Sequence, residues 1–441
     1  MKKLVTLLAA AGMVVAASAP ASAADIKLGG FHAITFERDA LGFDGTNESE
    51  ALQRTRLNLS IAASENLKGF IEFQMGTNSW GDYGYAGYGN NVKHGRYDVQ
   101  TRQAYIDWTV PGTAVKVRMG RSCFGLPAEA FGNNSAMDSG WGGRDGIIVT
   151  APVADWLNVT ALWSRAFSDK AADTDQENNA DIFGVAAALK FNGFAVTPYA
   201  AYASIDDGAT GKAVDGVTNG LAMKGNANAY WVGATATLTA FDPFTLKVSG
   251  VYGSMEYEGN GLDDKDGWNV QAKASYKLGF GTAVLGAWYG SGDDKNEADY
   301  NSKGVIRGGN GWMPSINGRF LAAQNYHDNS WGLSGGVCND AINGTWGVQT
   351  GIEGVSFLQD LSHDVKVTYI GGTNDKSYAD EATAKYLTED DAAIEFALSN
   401  TYKIYKNLAA NLELSYIIGD FENKALDEDD WTVGLHFKYT F

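Results

Sequence analysis

Trp431-Thr432-Val433-Gly434-Leu435-His436-Phe437-Lys438-Tyr439-Thr440-Phe441 ends the chain and alternates without an error. Trp431, Val433, Leu435, Phe437, Tyr439 and Phe441 share one face, and Thr432, Gly434, His436, Lys438 and Thr440 the other. A period of two belongs to a pleated strand. A uniformly apolar face with an aromatic at each end is what a strand between two headgroup layers requires. A soluble sandwich could end in the same way, so the rest of the chain has to decide.

The opposite end shows export. Met1-Lys2-Lys3 precedes an apolar stretch from Leu4 to Ala17 and the small residues Ala21-Ser22-Ala23. Residues 1–23 therefore read as a signal peptide cut after Ala23, and 24–441 as one barrel domain. Beyond the leader, no run of about 18 apolar residues could form a membrane helix.

Composition points the same way. The chain has 54 glycines, 7 prolines, 12% aromatics and a mean hydropathy of −0.21, the average of a wall with one wet and one greasy face. The formal charge of −18 makes it a poor nucleic-acid binder, because phosphate contacts need a basic surface. In an outer-membrane protein, such acid fits surface loops, where divalent ions can bridge it to lipopolysaccharide.

About eighteen alternating segments, from 25–36 to 430–441, are joined by two kinds of connection in strict turn. Very short ones such as Glu65-Asn66, Asn192-Gly193 and Asp242-Pro243 alternate with the long segments 37–51, 78–97, 123–143, 168–179, 206–227 and 292–343. Short periplasmic turns on one rim and long external loops on the other produce this pattern in a transmembrane antiparallel β-barrel. Closure would satisfy every backbone group in lipid. The 292–343 segment is long enough to hide or mimic a hairpin, so a 16-strand reading stays open.

Parity assigns the lumen. Leu57, Leu59 and Ile61 mark a dry face and leave Arg54, Arg56 and Asn58 in water; Val117 and Met119 do the same for Lys116 and Arg118. An arginine facing lipid at the midplane would cost about 2–4 kcal/mol. Arg102 is less clear, since Ile106 and Trp108 share its parity.

With these features the chain resembles the homotrimeric general porins, most closely those of sulfate-reducing bacteria. In that family the loop after the fifth strand folds into the lumen and carries an acid near a Pro-Glu-Phe-Gly-Gly run. Here Pro127-Ala128-Glu129-Ala130-Phe131-Gly132 is a loose match. The resemblance implies Glu129, with Asp138 as a second candidate, as the constriction acid opposite a basic wall of Arg54, Arg56, Arg102, Arg118 and Arg144. It implies that Phe441 is the signal read by the barrel-assembly machinery, and that the partners are two further copies, outer-membrane lipid and small solutes. A field across the narrowest point would sort solutes by charge.

The expected function is passive diffusion of small hydrophilic solutes and ions through an outer-membrane pore, with small anions passing at least as readily as cations. A substrate-specific sugar channel of the 18-strand type is the alternative; it would show lumen-facing aromatics, whereas the clearest aromatics here lie outside or at the rims. An outer-membrane lipid hydrolase is the weaker rival, since no Ser/His pairing is visible and no catalytic residue is expected. The five histidines lack metal spacing, and no metal site or cofactor is expected beyond loose Ca2+ or Mg2+ at acidic loops. Cys123 and Cys338 are either disulfide-bonded, as an oxidising compartment permits, or free. The tyrosine-rich stretch Trp80 to Asn90 reads either as a latch to a neighbouring copy or as a plain surface loop. Small residues such as Ala62 and Ala104 are expected on the outer wall beside it.

Overall fold

The computed structural model describes residues 25–39, 49–80, 99–122, 144–169, 178–206, 226–258, 264–293, 344–377, 387–422 and 429–441. The strands are β1 (Asp25–Asp39), β2 (Ser49–Ser64), β3 (Leu67–Ser79), β4 (Val99–Thr109), β5 (Lys116–Ser122) and β6 (Arg144–Ala154). Then come β7 (Leu157–Asp169), β8 (Asn178–Phe191), β9 (Phe194–Ile205), β10 (Asn226–Phe241), β11 (Phe244–Glu258) and β12 (Lys265–Leu278). The last six are β13 (Gly281–Gly290), β14 (Thr345–Leu358), β15 (Leu361–Gly372), β16 (Ala392–Tyr405), β17 (Leu408–Asp420) and β18 (Asp429–Thr440).

Each strand pairs antiparallel with the next, and β18 pairs back onto β1, so the 18-stranded sheet is closed. The barrel reading holds, and the count is 18 rather than 16. The seam is sealed by backbone hydrogen bonds in both directions: Gly30 N–H donates to Phe441 O at 3.0 Å, and Phe441 N–H to Gly30 O at 3.1 Å. Closure leaves no strand edge to be solvated by lipid. The turns after β2, β8 and β10 are the tight ones expected, which puts both ends of the described barrel and all the tight turns on one rim.

The outward face shows where the hydrocarbon ends. Met119, Ile147, Trp163, Phe183, Tyr202 and Tyr230 are cross-strand neighbours in one row from β5 to β10. Two residues further toward the long-loop rim, the same strands carry Arg121, Asp145, Arg165, Asp181, Ser204 and Asn228, also in register. Arg165 forms a bidentate pair with Asp181, 2.7 Å for each bond, and lies over the Trp163 ring at 5.8 Å. Tyr202 Oη donates to Asn228 Oδ1 at 2.6 Å. An apolar row followed at once by a charged one marks an aromatic belt below a headgroup layer. Near the tight-turn rim, stacked Trp156, Phe191 and Phe194, with centroids 6.0 and 6.5 Å apart, supply rings of the opposite belt.

Inside, β7 to β11 carry an apolar cluster that includes Leu162, Ile182, Ala203, Ala229, Trp231 and Met255. Lumen and lipid sides therefore differ by what they face and not simply by polarity. One outer-wall expectation needs correction. Ala62 is opposite Asp25 and Lys68 and shares the lumen parity of Arg54 and Arg56; only Ala104, opposite the outward Ile71, faces out.

Candidate functional site

The lumen wall formed by β18, β1, β2, β3 and β4 gathers cations. Phe31 on β1 is flanked in register by Arg56 and Thr440, and Ala33 by Arg54 and Lys438. Alternation turns all of these to the same side, so Arg54, Arg56 and Lys438 meet around one small and one aromatic residue. The Arg56 guanidinium lies 5.5 Å and the Lys438 ammonium 4.5 Å from the Phe31 ring centroid. Arg56 Nε donates to Gln74 Oε1 at 2.9 Å. Arg54 and Arg56 are only 3% and 4% exposed. Their charges therefore act on the lumen mainly through the field, which a low-dielectric wall screens little.

Arg102 reaches the same wall by a device that parity does not reveal. The β3–β4 register slips between Glu72/Gln103 and Phe73/Thr101, leaving Arg102 as the extra residue of a bulge. Below the bulge, Ile106 and Trp108 point to lipid; at the bulge, Arg102 Nη1 turns inward to within 3.3 Å of Glu72 Oε1. Gln103 Nε2 also donates to that oxygen at 3.3 Å. Arg56 and Arg102 are the charged neighbours of Arg54. This wall thus sets three guanidinium groups and one ammonium beside the carboxylate of Glu72.

Arg118 also faces the lumen but is matched there. It makes a bidentate pair with Asp107 at 2.7 and 2.8 Å, and its guanidinium carbon lies 3.9 Å from the Tyr105 centroid. Tyr105 in turn stacks on Phe70 at 5.1 Å. Arg144 opens β6 opposite Ser122, and its side chain lies outside the described part of the structure. Glu129, Asp138, Cys123 and Cys338 lie outside the described residues.

Several wall residues were not singled out from the sequence. Glu72 and Lys438 belong to the Arg54 cluster, and parity could have found both. Lys273, Lys366 and Glu353 form a second charged group on β12, β15 and β14. A third set is polar and buried: His436 Nδ1 lies 3.0 Å from Thr35 Oγ1, His436 Nε2 lies 3.4 Å from Glu413, and Ser415 donates to Glu395 at 2.5 Å. Lumen-facing rings also exceed expectation, with Phe31, Phe70, Tyr105, Tyr199, Trp231 and Trp288 all on that side. Among the described residues, no group of three or more His, Cys, Asp or Glu is placed to hold a metal ion.

A closed ring with two aromatic belts and a charged lumen can only be one thing in cellular terms. It is an outer-membrane β-barrel. Solved structures share this fold. The chain matches Pseudomonas aeruginosa OpdK with vanillate at 13% identity and TM-score 0.56, covering 95% of this chain and 98% of that one. It matches a BenF-like porin from Pseudomonas fluorescens Pf-5 at 12% identity and TM-score 0.57, with the same coverage. Pseudomonas aeruginosa OccK2 (OpdF) in complex with glucuronate matches at 13% identity and TM-score 0.56, again over 95% and 98%. No protein-family model and no curated protein matches the chain. At these identities the likeness is one of fold.

Proposed function

We propose that this protein is an outer-membrane channel that passes small organic anions by diffusion, with a preference built into its wall. The observation that carries this is the grouping of Arg54, Arg56, Arg102 and Lys438 around Glu72 on the lumen wall of a chain whose formal charge is −18. Charges at a narrow wall outweigh charges in loops, because exposed charges more than about 8–10 Å away are screened at physiological salt. The rings of Phe31 and Tyr105 beside Arg56 and Arg118 add apolar contact for a carbon skeleton. Vanillate and glucuronate, bound by two proteins of this fold, are both carboxylates, and this favours a solute-selective channel over a general diffusion pore. No covalent step is involved.

The same reading includes assembly of three copies through the β1–β4 flank. There the outward Gln53, Thr55, Met75 and Thr101 stand among apolar residues such as Leu57 and Phe73, and His32 Nδ1 lies 2.7 Å from Thr55 Oγ1. Such polar outward groups fit protein cover better than hydrocarbon.

Reversal potentials in a salt gradient across a planar bilayer test the anion preference. Arg54→Gln, Arg56→Gln and Arg102→Gln together should move the potential toward cation preference, and Glu72→Gln toward anions. An unmoved potential in the triple variant would sink the proposal.

A further inference from the structure

Across the barrel from the arginine cluster lies a second, smaller group of cations. β11 and β12 are nine strands from β2 and β3 in the ring of 18, so their lumen faces oppose each other. Lys247 on β11 and Lys273 on β12 are direct cross-strand neighbours. Like charges so placed disfavour the sheet, and no acid on either strand intervenes between them. Lys273 Nζ and, from β15, Lys366 Nζ both approach the same oxygen, Glu353 Oε1, at 3.0 and 2.9 Å. Both lysine side chains are 18% exposed and that of Glu353 30%, so water in the lumen reaches them.

The wall beneath this group is cut back. Gly286 is opposite Lys273, and Gly351 is opposite Lys366. A side chain at Gly351 would come within 2.2 Å of Val365 O and 3.1 Å of the Lys366 stem. The floor between the two lysines is therefore backbone with the buried Val284 and Gln349, the latter donating from Nε2 to Thr368 Oγ1 at 2.9 Å. Glu353 reaches over that floor from β14. The nearby Asp364 is occupied, its Oδ1 accepting from Gly354 N–H at 2.6 Å.

We propose that Lys247, Lys273 and Lys366 form a second oxyanion station on this wall, and that Glu353 is its built-in counter-ion, displaced when a solute anion arrives. A carboxylate oxygen already sits between two ammonium groups, so the geometry is that of a bound oxyanion, supplied by the protein itself. Three ammonium groups against the two local carboxylates, Glu353 and the backbone-bound Asp364, leave one positive charge over for a ligand. The chemistry recognised is that of a carboxylate or an inorganic oxyanion of similar size. An anion leaving the arginine wall would find this station on the other side, weakly held because Glu353 competes, and binding that is favourable but easily reversed is what conduction needs.

This inference rests on the anion-channel reading and can fail separately from it. The experiment is block of single-channel chloride current, once with sulfate and once with acetate, on the intact protein in a planar bilayer. Glu353→Gln removes the competitor and should lower the half-blocking concentration about tenfold for the ligand class that binds. Sulfate alone responding would assign an inorganic oxyanion, acetate alone a carboxylate, and both the shared chemistry. The triple variant Glu353→Gln, Lys273→Gln, Lys366→Gln, which removes both paired lysines and lowers the local charge by one, should raise the half-blocking concentration above that of the unmodified protein. It leaves no unpaired acid in the wall, and heat-modifiable migration in detergent gels will show that it is folded. If neither variant changes block by sulfate or acetate, the station does not exist, even if the arginine variants shift the reversal potential. If the arginine variants leave that potential unmoved while block responds to Glu353→Gln, the anion preference assigned to the arginine wall falls and the lysine station stands as a binding site.

Discussion

At the residue scale the wall depends on tight fits between missing and large side chains. Gly347 on β14 lies against the Trp288 ring of β13, and a Cβ there would come within 2.3 Å of it. Trp288 cannot simply move aside, because its Nε1–H donates to Thr345 Oγ1 at 3.0 Å in the buried wall. Overpacking of this kind costs about 1–3 kcal/mol. Gly347→Ala should therefore lower the urea midpoint of unfolding in detergent, with the same variant in a Trp288→Phe background losing less. Equal losses in both backgrounds would mean that the ring is not the obstacle. The charged residues were legible to different degrees for a related reason. Arg54, Arg56 and Arg118 announce themselves because their neighbours Leu57, Leu59, Val117 and Met119 alternate cleanly. The ion pair between Arg102 and Glu72 does not, since it joins side chains 30 positions apart through a local slip in register.

At the scale of elements, each strand carries its own evidence, and β18 carries most. The six residues expected to face lipid on this strand are on the outer parity, and His436 and Lys438 are inside, opposite Thr35 and Ala33. Phe441 packs on Tyr439 with centroids 5.9 Å apart, is 45% exposed, and its backbone bonds to Gly30 seal the barrel. Phe441→Asp should reduce the folded barrel in the outer membrane several-fold while unfolded chain accumulates in the periplasm, as read by heat-modifiable migration in fractionated cells. Normal levels would count against this residue as an assembly signal. Element ends were less legible than element centres. The β10 strand extends to Asn226 and β1 to Asp39, past the points where alternation fades, because ladder hydrogen bonds continue after the lipid that imposed the pattern has ended. Bulges are invisible to periodicity for the opposite reason: they break the pattern without ending the strand.

At the scale of the whole molecule, the proposed assembly and the proposed selectivity would meet at the β1–β4 flank, which carries the arginine wall inside and the polar outward patch of His32, Thr55 and Gln53 outside. Trp80 Nε1–H donates to Gln53 Oε1 at 3.1 Å, which ties the start of the tyrosine-rich segment to that patch; residues 81–90 lie outside the described residues. Deleting Ser79 to Asn90 should lower the temperature at which the oligomer dissociates in detergent, by ten degrees or so if the segment is a latch as the assembly reading requires, about what a few kcal/mol of lost contact would do. An unchanged dissociation temperature would rule the latch out. By itself the sequence determined that the chain is all-β and that it forms a closed barrel with alternating short and long connections. Those properties are written in local periodicity and composition, and lipid on one side enforces them at every strand. Only the tertiary structure decided that the count is 18, that a bulge swings Arg102 into the wall, that Ala62 faces water, and that Lys247, Lys273, Lys366 and Glu353 meet although they come from four different strands. Those depend on register and closure, which sum over every strand pair around the ring and leave no mark at any one position.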